Sequence, residues 1–385
     1  MNLIDSFIGN ADAFPILRNW TFFNHAGVAP LPHAAAKALV DFAAQAESAA
    51  YLDAHWHPDL EKLRQLAAGF INAHRDEIAF VKNTGEGLST VAAGVEWRAG
   101  DRVVTTNVEY PANIYPWMQV AKLHGVELVM VGEESAADGS RAVPIDKILK
   151  EAAHPRTRLV TLSHVEFASG QRHDIATIGQ FCRHNGVLFC VDAIQSLGVV
   201  AVDVAAMGID YLAADGHKWM LGPEGAGIFY CRRELLDKTR PLTVGWMNVV
   251  DAVNFGNYNF TLRPDAGRFE CGSHPVPGLL ALKESLTILA SIPSAQVADR
   301  IGALGDRLIE GVRRKGYTVI SPRTHDAWSG NVSFTSAVHP HEPIVTNLRK
   351  DHKIEIAHRV GRLRCSAHFY NTEAQIDRLI EALPG

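Results

Sequence analysis

Residues 187–195 read Val-Leu-Phe-Cys-Val-Asp192-Ala-Ile-Gln195, and residues 211–230 read Tyr-Leu-Ala-Ala-Asp215-Gly-His217-Lys218-Trp-Met-Leu-Gly-Pro-Glu-Gly-Ala-Gly-Ile-Phe-Tyr230. Each opens with an apolar run of strand length that ends in polar residues. In an open α/β sheet, ligands gather at the carboxyl ends of the strands. Asp192 closes the first run. Lys218 follows the second between Tyr211-Leu-Ala-Ala and Trp219-Met220-Leu221, flanks that bury a side chain normally left in water. The two are 26 positions apart (218 − 192), which fits a strand end, a connection and the next strand end on one rim. A lysine placed to form an imine needs a carboxylate that keeps the pyridine nitrogen of pyridoxal 5′-phosphate (PLP) protonated. Lys218 is therefore expected to form the aldimine and to serve as acid and base at the substrate Cα, which suits an amine of lowered pKa. Asp192 alone reads equally well as a helix cap. Gln195 is placed to donate to the ring's phenolic oxygen, and His217 to bond the phosphate or adjacent backbone.

Working outward, apolar runs at 78–81, 101–106, 127–131, 157–164 and 187–191 alternate with helical patterns. Such alternation predicts an α/β fold with a doubly wound, mostly parallel sheet. Residues 211–214 extend the sheet, and 226–231 join it as an antiparallel member. Helices are expected at 33–50, 59–71 and from Leu88, and later at 276–289, 295–315 and 372–383, with short strands at 318–320 and 331–334. The organisation that follows is an N-terminal arm at 1–18, a large domain at 19–259, and a smaller α+β domain at 260–385. Between a strand and a helix, Asn83-Thr84-Gly85-Glu86-Gly87 offers free N–H groups and the Thr84 hydroxyl to a phosphate.

The 385 residues are 47% hydrophobic and 21% charged, an ordinary globular balance. A net charge of −5 argues against nucleic acid or anionic membrane as partner. There is no apolar run long enough to span a bilayer and no signal-like N-terminus. Five cysteines without CxxC spacing suit a reduced, cytoplasmic protein. His55-x-His57 and His339-x-His341 lack accompanying ligands, so no metal is expected. No G-x-G-x-x-G follows a strand, which disfavours a nicotinamide enzyme.

The combination of Asp192, Gln195, His217 and Lys218, together with Phe23-Asn-His-Ala-Gly27 and Tyr370-Asn-Thr-Glu373, resembles the class V aminotransferase family of fold-type I PLP enzymes. The likeness is to the branch of cysteine desulfurases, selenocysteine lyases and isopenicillin N epimerase-like proteins. It implies that Thr84 and Gly85 hold the cofactor phosphate and that Tyr110 stacks on the ring. It implies that Ser273 reaches the phosphate of a neighbouring subunit, in a homodimer with shared active sites. Arg364 takes the place of the arginine that grips the α-carboxylate of a small amino-acid substrate. His25, Trp246, Tyr258 and Arg359 are further pocket candidates. Three departures stand out. Asp215 replaces a hydroxyl ligand of the phosphate, and Phe167 replaces an asparagine. Residues 354–364 contain no cysteine, and Cys365 is expected to pack on a strand. The expectation is thus a transaminase or a C–S/β-elimination lyase, not a persulfide-forming cysteine desulfurase. An epimerase like the isopenicillin N enzyme, or a non-catalytic protein of the same fold, is the alternative.

Overall fold

The computed structural model describes residues 2–385. Its strands are β1 (Thr21–Phe22), β2 (Ile78–Val81), β3 (Arg102–Thr106), β4 (Glu127–Val131), a small hairpin β5 (Glu134–Ser135) and β6 (Arg141–Ala142), β7 (Thr157–Ser163), β8 (Leu188–Asp192), β9 (Tyr211–Asp215) and β10 (Gly227–Cys231). The main sheet runs β2-β10-β9-β8-β7-β3-β4. Neighbours from β9 through β4 are parallel, while β10 is antiparallel to both β2 and β9. The inner strands are buried along nearly their whole length. That is why they read as continuous apolar runs rather than alternating ones.

Helices cover both faces: α1 (His33–Ala49), α2 (Trp56–Phe70), α3 (Thr84–Gly94), α4 (Tyr115–His124), α5 (Ile145–Ala152) and α6 (Ile175–His184). α3 starts at Thr84 rather than Leu88. Asn83 accepts the Glu86 N–H at 2.9 Å and caps the helix, so the glycines that looked like a loop form its first turn. The C-terminal part contains α7 (Val276–Ala290), α8 (Ser294–Arg314), β11 (Thr318–Val319), β12 (Val332–Thr335), α9 (His341–His352), β13 (Ile354–Glu355), β14 (Ala357–Arg359), β15 (Arg362–Cys365) and α10 (Glu373–Ala382). β11-β12-β15-β14 form the second sheet.

The packing units do not part at 259/260. β1 pairs with β13, and Phe23 packs in the small-domain core. Leu279, Leu282 and Leu286 of α7 belong to the large-domain core, where α7 lies across α1 and α2. Phe14 of the N-terminal arm stacks on Tyr370 at 3.9 Å between ring centres. Both chain ends thus lock onto one joint beside the sheet. Among the described residues, no single helix is long and apolar enough to cross a membrane.

Candidate active site

The strand ends converge as the doubly wound topology requires. Asp192 is the last residue of β8, and Ser163 lies opposite it at the end of β7. β9 leads to Lys218, β2 to Asn83 and Thr84, and β3 to Tyr110. One cavity of about 550 Å³ is lined by Thr84, Gly85, Tyr110, Phe167, Asp192, Gln195, Asp215, His217, Lys218, Arg359 and Arg364. A larger apolar cavity of about 700 Å³ between α2, α7 and the 198–201 turn has Lys62 as its one charged lining residue. Chemistry, not size, singles out the first.

Lys218 and Asp192 are 8% and 2% exposed. Burial lowers the Lys218 amine from 10.5 to about 8, against the pull of Asp192. Burial raises the Asp192 carboxyl from 3.8 to about 6, opposed by the Ile194 N–H it accepts at 2.9 Å and by Lys218. Desolvation outweighs their mutual attraction, so each is pushed toward its neutral form. The Lys218 Nζ lies 5.3 Å from the centre of the Tyr110 ring, whose edge meets Phe167.

Thr84 Oγ1 accepts the Asp215 N–H at 3.0 Å, which leaves its own hydrogen free to donate. With the first N–H groups of α3 this makes a phosphate cradle. Asp215 does not oppose it. One of its oxygens accepts the Gly216 N–H at 2.7 Å, and the other is 2.8 Å from His217 Nδ1. That second approach is a charge contact without hydrogen-bond alignment, since Nδ1 has no hydrogen-bond partner. Gln195 donates from Nε2 to the Ala26 carbonyl and accepts from Trp219 Nε1 at 2.9 Å, so only its second N–H is left for a ligand.

Arg364 is 1% exposed. It donates to the Phe167 carbonyl at 2.8 Å and to Asn24 Oδ1 at 3.3 Å, and its buried Nε has no partner among the described residues. Burial, then the neighbouring Arg359, lowers it to about 9. A buried guanidinium without a carboxylate calls for an anion. Amine, carboxylate, cradle and guanidinium on one cavity fit PLP and an α-amino acid together.

Three pocket expectations, those for His25, Trp246 and Tyr258, are corrected. His25 is fully buried outside the cavity lining. Its Nδ1 donates to the Ser366 carbonyl at 2.8 Å, so Nε2 accepts from the Tyr370 hydroxyl at 2.6 Å. With both nitrogens committed, it is a structural joint. Trp246 and Tyr258 line a separate depression with Phe255 and Phe260. Ser273 lies on an exposed stretch before α7, away from its own chain's cavity. Cys365 packs on β15, and burial pushes its thiol up.

Sequence reading missed what lies beneath the site. Glu109 accepts the Ser163 N–H at 2.7 Å and the Asn113 side chain at 3.0 Å. Glu166 accepts from Thr106 at 3.1 Å and lies 3.0 Å from His173 Nε2. Burial raises Glu166 to about 8. These neutral-leaning acids brace the residues that follow them, Tyr110 and Phe167. The Glu109-x₃-Asn113 spacing was the one available signal.

The family model Aminotransferase class-V matches residues 21–379. The chain belongs to this family. A "Probable cysteine desulfurase" of Pyrococcus abyssi is 32% identical over 339 residues, 84% of this chain and 82% of the relative. A solved cysteine desulfurase from Thermococcus onnurineus NA1 superposes with a TM-score of 0.86 at 26% identity, covering 96% of this chain and 95% of that one. The cystine C–S lyase C-DES in complex with its reaction product cysteine persulfide gives a TM-score of 0.87 at 26% identity, covering 97% and 100%. A variant of the same lyase carries glycine covalently linked to PLP. The protein is thus a PLP-dependent enzyme of the class V family with the fold-type I architecture.

The expectation that set aside a persulfide-forming cysteine desulfurase is overturned. The relatives and neighbours are named cysteine desulfurases, and C-DES has a persulfide as its product. The missing thiol in 354–364 bears on where sulfur is received. It says nothing against cleavage of a C–S bond.

Proposed function

We propose that this class V enzyme is a C–S lyase of the cysteine desulfurase type, which takes L-cysteine and delivers its sulfur as a persulfide. The observation that carries the reading is the buried Arg364 guanidinium, without a carboxylate partner, on the same cavity as Lys218 and Asp192. The relatives' activity supports the choice of substrate.

Bound PLP supplies an electron sink for the pair left when the Cα proton is removed. Lys218, with its amine near 8, can accept and return that proton close to neutral pH. Asp192 would hold the ring nitrogen and Thr84 and Gly85 the phosphate, with the Tyr110 ring on the same cavity. Arg364 would bind the substrate through its carboxylate, on the same cavity as the Lys218 amine. Among the described residues, no cysteine lines the cavity. The sulfur acceptor is therefore a thiol that does not belong to this lining. The Cβ–S bond breaks, sulfur joins the sulfur of that thiol, and Cβ takes up a proton to give alanine. The test is PLP-loaded protein with L-cysteine and a low-molecular-weight thiol. Alanine and persulfide in equal amounts support the reading, whereas unchanged cysteine, or pyruvate in place of alanine, would sink it.

We also propose a homodimer. Val253, Phe255, Tyr258 and Phe260 leave an apolar loop in water, close in sequence to Ser273. Such a patch suits burial against another copy. Sedimentation is expected to give twice the 42.0 kDa chain mass, and Phe255→Glu with Phe260→Glu to shift it toward monomer. A wild-type monomer at micromolar concentration would exclude the dimer.

A further inference from the structure

We propose that His368, seconded by Ser285, is a positioning residue for Lys218, and that the short run from Arg364 to His368 sets the spacing between the anion-binding guanidinium and the reactive amine. The inference rests on Lys218 being the cofactor-bearing lysine and concerns how that amine is held.

The turn that carries Lys218 is not self-supporting. Leu221, three residues on, has φ of +59°, a left-handed conformation that a branched residue adopts only when its surroundings impose it. Inside the turn, the Leu221 N–H donates to the Lys218 carbonyl at 3.0 Å, and the Gly222 N–H to the Gly216 carbonyl at 2.8 Å. The other anchors come from outside it. Ser285 on α7 donates to the Leu221 carbonyl at 2.7 Å. His368 meets the Trp219 carbonyl at 3.0 Å.

The direction of that last bond is determined by the ring itself. His368 Nδ1 accepts the Phe369 N–H at 2.9 Å, so the proton sits on Nε2 and is donated to Trp219. Burial keeps the ring neutral by lowering it to about 4. Gly198 also packs against this carbonyl, so closely that a Cβ there would lie 2.1 Å from the oxygen.

His368 is four residues beyond Arg364 on one rigid run. Ser366 between them donates its N–H to the Phe23 carbonyl at 2.7 Å, and its hydroxyl accepts the Ala26 N–H at 3.0 Å. One strut thus ends in the guanidinium and, at its other end, holds the neighbour of Lys218. Loss of the His368 donor leaves a buried carbonyl unpartnered and frees the turn. The amine then misses its place while carboxylate binding is untouched.

The test uses PLP-loaded wild type, His368→Phe, His368→Gln and Ser285→Ala with L-cysteine. For His368→Phe, kcat is expected to fall by about tenfold to a hundredfold, with KM within about twofold. The visible circular dichroism per bound cofactor, which reports how lysine sets the ring, should change as well. His368→Gln keeps an N–H donor and should restore most of both signals. Wild-type kcat and dichroism in His368→Phe, or a raised KM with kcat intact, would overturn the inference. If His368→Phe fails to fold by far-ultraviolet dichroism, Ser285→Ala decides. A lower kcat at constant KM supports the positioning role, and wild-type values refute it. Lys218→Ala separates the two levels. If it retains the covalent link to cofactor, the reading of the site fails. If it loses that link while the positioning variants match wild type, only this inference fails.

Discussion

Lys218→Ala is expected to lower persulfide formation from L-cysteine by about 10³-fold or more, because it removes both the covalent anchor and the acid–base group at Cα. The purified variant should also lose the visible absorbance of lysine-linked cofactor. Misfolding is not the expected route. The side chain faces a cavity, so truncation leaves no new void in the packed core. Stability should in fact rise in the cofactor-free protein. The folded amine, at about 8, is lowered from 10.5, so below pH 8 the fold holds a charged amine at a cost. A shift of that size corresponds to a few kcal/mol at most, about 1.4 kcal/mol per pH unit. The cost disappears as pH rises from 8 to 10.5, where the unfolded chain also loses its proton. Denaturant melts of cofactor-free protein should therefore favour the alanine variant at pH 7, by a margin that closes toward pH 10.5. A variant that kept both covalent cofactor and turnover would remove the basis for the whole assignment.

The sheet strands, the placement of Asp192 and Lys218 at strand ends, and most helices were legible because they rest on local pattern. Buried parallel strands declare themselves as unbroken apolar runs, and α8 as a long amphipathic stretch. What could not be read depends on contacts across the chain. His25 looked available in Asn-His-Ala-Gly, yet folding brings Ser366 and Tyr370 onto its two nitrogens, more than 340 positions away. The grip on Arg364 comes from a backbone carbonyl at Phe167 and from Asn24, neither of which has a sequence signal. The contacts that cross the 259/260 division are of the same long-range kind. β1 completes its pairing only with β13, and α7 finds its apolar partner in the large domain. The misjudged reaction has a different origin. A thiol sought in one loop was taken as the requirement for persulfide chemistry, although the acceptor need not belong to the chain.

Asp192→Asn carries the second large effect, and its pH dependence discriminates between roles. The substitution keeps the shape and one oxygen for the Ile194 N–H, so the end of β8 should remain in place. What disappears is the charge that would face a protonated ring nitrogen. Fixed charge placed where charge develops in a dry site is worth several kcal/mol, and turnover should fall by about 10²- to 10³-fold. In the cofactor-free protein the carboxyl is raised from 3.8 to about 6 by burial, so below pH 6 it carries a proton. Binding a cationic ring requires that proton to leave. Wild-type affinity for PLP is therefore expected to weaken as pH falls below 6, by up to about tenfold per pH unit, and to level off above it. Asparagine has no proton to lose, so its affinity should be lower at pH 7 and should lack the part of the fall below pH 6 that Asp192 causes. The raised carboxyl also makes the cofactor-free fold less stable as pH rises from about 4 to 6, a slope that the asparagine variant should lack. Equilibrium titration of cofactor-free wild type and variant with PLP between pH 5 and 8 measures the first effect directly. Parallel pH profiles for the two proteins would mean that Asp192 caps the strand end and does not hold the ring.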